Sequence, residues 1–204
     1  VRTQNVASTD APIDGEREAS ATQFIDFATQ VKPLALATLK KDVATVNAKT
    51  AATTDDQITY ALNLTVENTS PSGGFSPEQL AGTDIQGITG KKVLVSDIIP
   101  TGTVFDPTIA PVVPSGWTLV YSIDNPATTV PVPVAGGTPA TWTTAQPAVA
   151  SSIKRIGYIH DGPLPANGIA ITGFKFTVVT ATVPAAGASV YNVAQVFGQT
   201  YDDP

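Results

Sequence analysis

Residues 57–68 read Gln-Ile-Thr-Tyr-Ala-Leu-Asn-Leu-Thr-Val-Glu-Asn, and this stretch decides the fold class. Large apolar side chains occupy every second position and alternate with polar or small ones. A period of two is the pattern of a β-strand that has one face in a core and the other toward solvent. The apolar positions are Ile58, Tyr60, Leu62, Leu64 and Val66.

Four further runs, at 93–99, 117–123, 169–183 and 190–197, have a similar character. Clusters of proline, glycine, asparagine and aspartate separate them, and such clusters favour turns over the interior of a strand or helix. Short strands joined by turns predict an all-β sandwich or barrel.

The composition excludes several classes of protein. Of the 204 residues, 42% are hydrophobic, only 14% are charged and none is cysteine, whereas about 25% charged residues are usual. Without cysteine there is no disulfide, thiolate nucleophile or thiolate-bound metal. A net charge of -6 argues against nucleic acid as a partner. The low charge and the start at Val1 lead us to expect a processed, extracellular protein of the cell surface.

No catalytic motif emerges from the sequence. The stretch 87–92 resembles a phosphate-binding loop but lacks its first glycine and its final Ser or Thr. The single histidine, His160, stands at a turn without the context of a catalytic triad. No run of apolar residues is long enough for a membrane helix. We therefore expect a protein that is not an enzyme and has no cofactor, no metal and no membrane span.

The sequence predicts three regions. Residues 1–36 form a polar N-terminal arm, 37–200 form the sandwich with inserts at about 69–92 and 124–150, and 201–204 form an acidic tail. Large apolar side chains cluster near the end of the arm. They fit either an extra strand on the chain's own sheet or a donor segment that packs on another molecule. These residues are Phe24, Ile25, Phe27 and Val31.

One constellation suggests covalent chemistry without an enzyme. If Lys40 or Lys41 lies on the first sandwich strand and Asn192 on the last, these strands are expected to be neighbours. A buried acid between them, either Glu67 or Asp97, would promote a Lys–Asn isopeptide crosslink. The chemistry needs a neutral amine and a protonated acid, and both require burial. The alternative is that the lysines are solvated and that Asn192 bonds locally.

The segments 58–68, 93–103 and 192–200 resemble a conserved repeat domain of unknown function from bacterial, notably cyanobacterial, cell-surface proteins. The resemblance covers about residues 35–200. It implies an immunoglobulin-like antiparallel β-sandwich with no catalytic site. The matching residues are Lys40, Tyr60, Asn68, Asp97, Pro100, Gly102, Asn192, Ala194 and Val196.

These observations favour an extracellular structural subunit of a filament, pilus-like fibre or sheath. Copies would assemble by strand addition, in which an open sheet edge accepts an extended segment of the next copy. The partner would then be a polymer of the chain itself. The alternative is an adhesive or carbohydrate-binding module, in which Phe75, Trp117 and Trp142 would stack on the rings of a surface glycan. Otherwise these three aromatic residues are core or loop anchors.

Overall fold

The computed structural model describes residues 2–4, 16–18, 32–48, 55–70, 74–181, 190 and 192–201. The chain divides into two units, Val1–Val31 and Lys32–Pro204. In the first unit, strand β1 (Arg2–Gln4) pairs antiparallel with β2 (Glu16–Glu18). Outside the described residues lie the predicted assembly residues Phe24, Ile25, Phe27 and Val31, and also 202–204 of the predicted tail.

The second unit contains twelve strands within its described part, joined by turns and one short 3-10 helix. In chain order they are β3 (Lys32–Leu34), β4 (Ala37–Asn47), β5 (Gln57–Val66), β6 (Phe75–Pro77), β7 (Leu80–Ala81), β8 (Val93–Ile98), β9 (Thr103–Phe105), β10 (Trp117–Ser122), the 3-10 helix (Ala150–Ser152), β11 (Arg155–His160), β12 (Ile171–Thr180), β13 (Ala194–Phe197) and β14 (Gln199–Thr200).

Two antiparallel sheets of four strands form the body of this unit. The first sheet has the order β4-β5-β12-β9, and the second has the order β10-β11-β8-β13. Their inner faces share one core, because Leu62, Leu64 and Phe174 of the first sheet cluster with Val95 and Tyr158 of the second. The predicted all-β fold is confirmed, and the arrangement is consistent with a β-sandwich.

The insert at 124–150 covers the outer face of the second sheet. Its Trp142 is 1% exposed and packs with Leu94, Val120 and Ile159, while the indole N–H donates to the carbonyl of Pro131 at 2.8 Å. The second sheet is therefore covered on both faces. For this reason β8 is buried almost continuously instead of alternating like β5.

Arg155, on β11 of the second sheet, binds the same insert through hydrogen bonds. This residue is 1% exposed, and its guanidinium donates to the Thr129 hydroxyl at 2.8 Å and to the Thr129 carbonyl at 2.6 Å. It also donates to the carbonyl of Asp124 at 3.3 Å. Burial lowers the pKa of Arg155, and the charge of Asp124 opposes that effect. Two carbonyls and one hydroxyl of the insert thus accept hydrogen bonds from the buried cation, whereas its Nε has no partner among the described residues.

Candidate functional site

The two adjacent lysines of β4 point in opposite directions. Ala37, Leu39 and Lys41 share the inward face of the strand, whereas Lys40 lies on the outward face. The Lys40 side chain is 71% exposed and pairs with Asp42 at 3.1 Å, but that of Lys41 is only 15% exposed. The strand's period of two thus selects one lysine for the interior.

A buried carboxylate meets Lys41 from the opposite sheet. Asp97 shares the inner face of β8 with Val93 and Val95 and is 1% exposed. Its Oδ2 lies 2.5 Å from Nζ of Lys41. The second oxygen, Oδ1, is buried and has no hydrogen-bond partner among the described residues. The carboxylate is therefore only half satisfied.

Aromatic rings form a wall around the ammonium group. Nζ of Lys41 lies 4.1 Å from the ring centroid of Tyr60 and 5.8 Å from that of Phe176. These two rings pack against each other at 5.4 Å. The site is therefore poor in water and rich in polarisable surface, a setting that disfavours ionised groups unless they are paired.

Asn192 completes the cluster. It precedes β13, whose first residue Ala194 pairs with Asp97. Both amide atoms of Asn192 are buried, and neither has a hydrogen-bond partner of normal geometry within the described part of the chain. The amide nevertheless lies close enough to lower the pKa values of Asp97 and Tyr60.

A cavity of about 230 Å³ opens beside the amide. It is lined by Lys41, Asp42, Val43, Tyr60, Val190 and Asn192.

The electrostatics of the cluster favour neutral groups. Burial raises the pKa of Asp97 to about 6, although the charge of Lys41 opposes the shift. Burial also lowers the pKa of Lys41, against the opposing charge of Asp97. Both shifts reduce the free-energy gap between the ion pair and the form in which amine and acid are uncharged. The pKa of Tyr60 is raised for the same reason.

The structure thus brings together Lys41, Asp97 and Asn192 of the predicted constellation, and it leaves two members out. Lys40 faces solvent, and Glu67 follows the far end of β5, where its N–H donates to the carbonyl of Leu36 at 2.8 Å. The first and last of these strands are neighbours, but not through hydrogen bonds within one sheet. Strands β4 and β13 are the outer strands of different sheets and contact each other across the sandwich.

The rings proposed for sugar stacking are mostly inaccessible. Trp117 is 8% exposed and packs edge-on against Phe174, and Trp142 is buried under the insert. Only Phe75, at 37%, offers a surface. Burial thus excludes sugar stacking for Trp117 and Trp142 and agrees with the alternative that they are core residues.

Other kinds of site find no support in the described ranges. They contain no group of three or more His, Asp or Glu side chains that could hold a metal ion. They also contain no helix with the length and apolar character needed to cross a membrane.

The fold and the cluster together define an all-β protein with a buried Lys–Asp–Asn site between the outer strands of its two sheets. Residues 36–204 match the model of a family described as a domain of unknown function, DUF7925, and the chain belongs to this family. No curated protein and no solved structure matches the chain. The expectation of a domain family of unknown function is confirmed in this form.

Proposed function

We propose that this protein is a non-catalytic structural module of an extracellular surface assembly, and that copies join by strand addition. The observation that carries the proposal is the open edge of β4. This strand has eleven residues and pairs only with β5 within the described part of the chain. An edge strand of this length presents a row of backbone donors and acceptors to a second chain.

The edge is weakly guarded against such pairing. Natural sheets blunt their edges with charges and prolines, yet Val43–Asn47 of β4 contains neither. Val43 and Val46 are 56% and 64% exposed. Lys40 and Asp42 neutralise each other, and Lys41 is turned inward. This half of β4 thus combines exposed apolar side chains with open backbone groups.

The proposed donor is residues 1–31 of the N-terminal arm of another copy, with Phe24, Ile25, Phe27 and Val31 as anchors. Residues 32–36 of the predicted arm are excluded, because β3 pairs with β6 in the second unit. Main-chain hydrogen bonds would provide affinity, and alternate side chains would provide specificity. Because donor and acceptor are different surfaces of one chain, the contact is head-to-tail and extends as a fibre.

The finer features of the resemblance support this proposal. In an immunoglobulin-like sandwich one sheet has the order A-B-E-D. The order β4-β5-β12-β9 of the first sheet follows it if β4, β5, β9 and β12 are strands A, B, D and E, whereas β10 and β11 of the second sheet are additions between D and E. On the basis of this strand order we propose an immunoglobulin-like sandwich. On the basis of the resemblance of segments 58–68, 93–103 and 192–200 we propose a bacterial cell-surface domain that occurs in repeats. The low charge of the chain and its lack of cysteine agree with this location.

Sedimentation velocity and negative-stain microscopy of the full chain over a range of concentrations test the assembly. We expect oligomers or fibres that grow with concentration. When residues 1–31 are deleted, we expect a monomer, because the donor is lost. This monomer should still be folded, because the second unit retains its own core. Val46→Lys should weaken assembly, whereas Val149→Lys, at an equally exposed valine outside β4, should not. A full chain that stays monomeric, or a truncated chain that still assembles, would refute the proposal.

A further inference from the structure

We propose that Lys41 and Asn192 form an intramolecular isopeptide bond, with Asp97 as the residue that transfers the protons. The inference concerns one copy of the chain and does not depend on strand addition. It rests on three groups that three separate elements bring to one buried point: the lysine from β4, the acid from β8 and the amide ahead of β13.

The geometry provides an amine, a proton acceptor and an electrophile. Nζ of Lys41 lies 2.5 Å from Oδ2 of Asp97 and lines the same cavity as the carboxamide of Asn192. The amide atoms are buried near Asp97 and Tyr60, but they have no hydrogen bond of normal geometry among the described residues. A buried amide without well-formed hydrogen bonds is costly in a folded protein. Conversion into a crosslink would give its carbonyl a donor, the protonated Asp97.

The reaction balances without an oxidant or a co-reactant. Asp97 takes a proton from the Lys41 ammonium, and the neutral amine attacks Cγ of Asn192. The acid then protonates the amide nitrogen of the tetrahedral intermediate, which departs as ammonia, and the resulting carboxylate takes the second proton from the attacking nitrogen. One N–C bond forms, one N–C bond breaks, and the ion pair becomes a neutral amide and a neutral carboxyl group.

The surroundings suit each step. Burial moves the pKa of Lys41 down and that of Asp97 up, so that neutral amine and protonated acid are accessible. The rings of Tyr60 and Phe176 cover one side of the amine. The cavity beside Asn192 gives the ammonia a place to leave.

The mass of the intact, denatured full chain tests the bond. We expect a deficit of one ammonia relative to the sequence, and after proteolysis a branched peptide that joins the fragments containing Lys41 and Asn192. Lys41→Arg, Asp97→Asn and Asn192→Ala should each restore the sequence mass. Lys40→Arg, at the exposed neighbour, should retain the deficit.

One side reaction has the same mass change and needs its own control. Asn167 precedes Gly168, and succinimide formation at an Asn–Gly step also releases ammonia. Asn167→Ala should leave the deficit unchanged if the bond joins Lys41 and Asn192. The branched peptide identifies the bond directly, since a succinimide joins no distant fragments.

The experiment distinguishes loss of the crosslink from misfolding of a variant and from failure of the proposed assembly. Folding of each variant is checked by near-ultraviolet circular dichroism, and Lys41→Met serves if Lys41→Arg does not fold. A folded wild-type chain with its full sequence mass overturns the proposal, as does a deficit that survives in both lysine variants. An ammonia deficit in a chain that remains monomeric supports the bond and refutes only the proposed assembly.

Discussion

At the scale of single residues, the pairing of Lys41 with Asp97 is an expensive arrangement. Removing two charges from water costs several kcal/mol each, and their attraction repays this only when the remaining hydrogen bonds are also made. Here Oδ1 of Asp97 and the amide of Asn192 have no such bonds within the described residues. The pair is thus a poor way to stabilise a core. Its groups are well placed for a reaction that removes both charges.

The pH dependence of stability should expose Asp97 when the bond is absent. The folded-state pKa of Asp97 is about 6 against an unfolded value of 3.8, and Asn192→Ala removes an amide that lowers it, so the pKa stays at or above about 6. The acid is neutral in both states below about pH 4, and its buried charge destabilises only the folded state above about pH 6. The free energy of unfolding should therefore fall by about 3 kcal/mol across this window.

Urea denaturation at several pH values measures this change. The matched control is Asn192→Ala combined with Asp97→Asn, in which the carboxyl group no longer titrates. Other groups that titrate in the window contribute to both curves, so their difference isolates Asp97. A difference that is flat from about pH 4 to about pH 6 would show that the folded-state pKa of Asp97 is not raised.

At the scale of elements, the second sheet depends on close packing beneath the insert. A Cβ atom added at Gly157 of β11 would lie 2.8 Å from Cζ3 of Trp142 and 3.0 Å from side-chain atoms of Leu94 and Val120. Gly157→Ala should therefore displace Trp142 and cost about 1–3 kcal/mol. Urea denaturation followed by circular dichroism measures the loss. Gly74→Ala, where the added Cβ meets nothing within 4 Å, should change stability little.

The same layer explains which elements the sequence predicts and which it does not. The alternation at 57–68 predicts β5, because only one face of that strand is strongly buried. Strand β11 escapes the pattern because it is central and covered on both faces, so its Arg155 and Gly157 are as buried as its isoleucines. Whether an insert covers a sheet depends on tertiary contacts, and the local hydrophobic periodicity of a strand does not report them.

The residues of the candidate site, like the strands, are only partly predictable from the sequence. Lys41, Asp97 and Asn192 were all candidates, and the period of two along Ala37, Leu39 and Lys41 already distinguishes Lys41 from Lys40. The same rule places Tyr60 on the inward face of β5, where the structure has it. The separation of β4 and β13 into different sheets could not be read from the sequence, because it depends on how the strands are ordered in space.

At the scale of the whole molecule, the position of the Lys41–Asn192 bond determines how the protein would carry a mechanical load. Strands β4 and β13 are the outer strands of the two sheets on the side where they contact each other, and Lys41 and Asn192 join them there. A tension applied to the chain outside these residues would pass through the covalent bond and bypass residues 42–191, which include strands β5 to β12. A structural module without cysteine would thereby gain the role that a disulfide has in other extracellular sandwiches.

The crosslink should also raise equilibrium stability by restricting the unfolded chain. It closes a loop of about 150 residues, for which chain entropy predicts about 5 kcal/mol. At about pH 5, where an unpaired Asp97 is neutral, Lys41→Met and Asn192→Ala should each lower the free energy of unfolding by roughly this amount. The double variant should lose little more than either, because both substitutions remove the same bond. Losses that add in full would mean that the two side chains stabilise the fold separately.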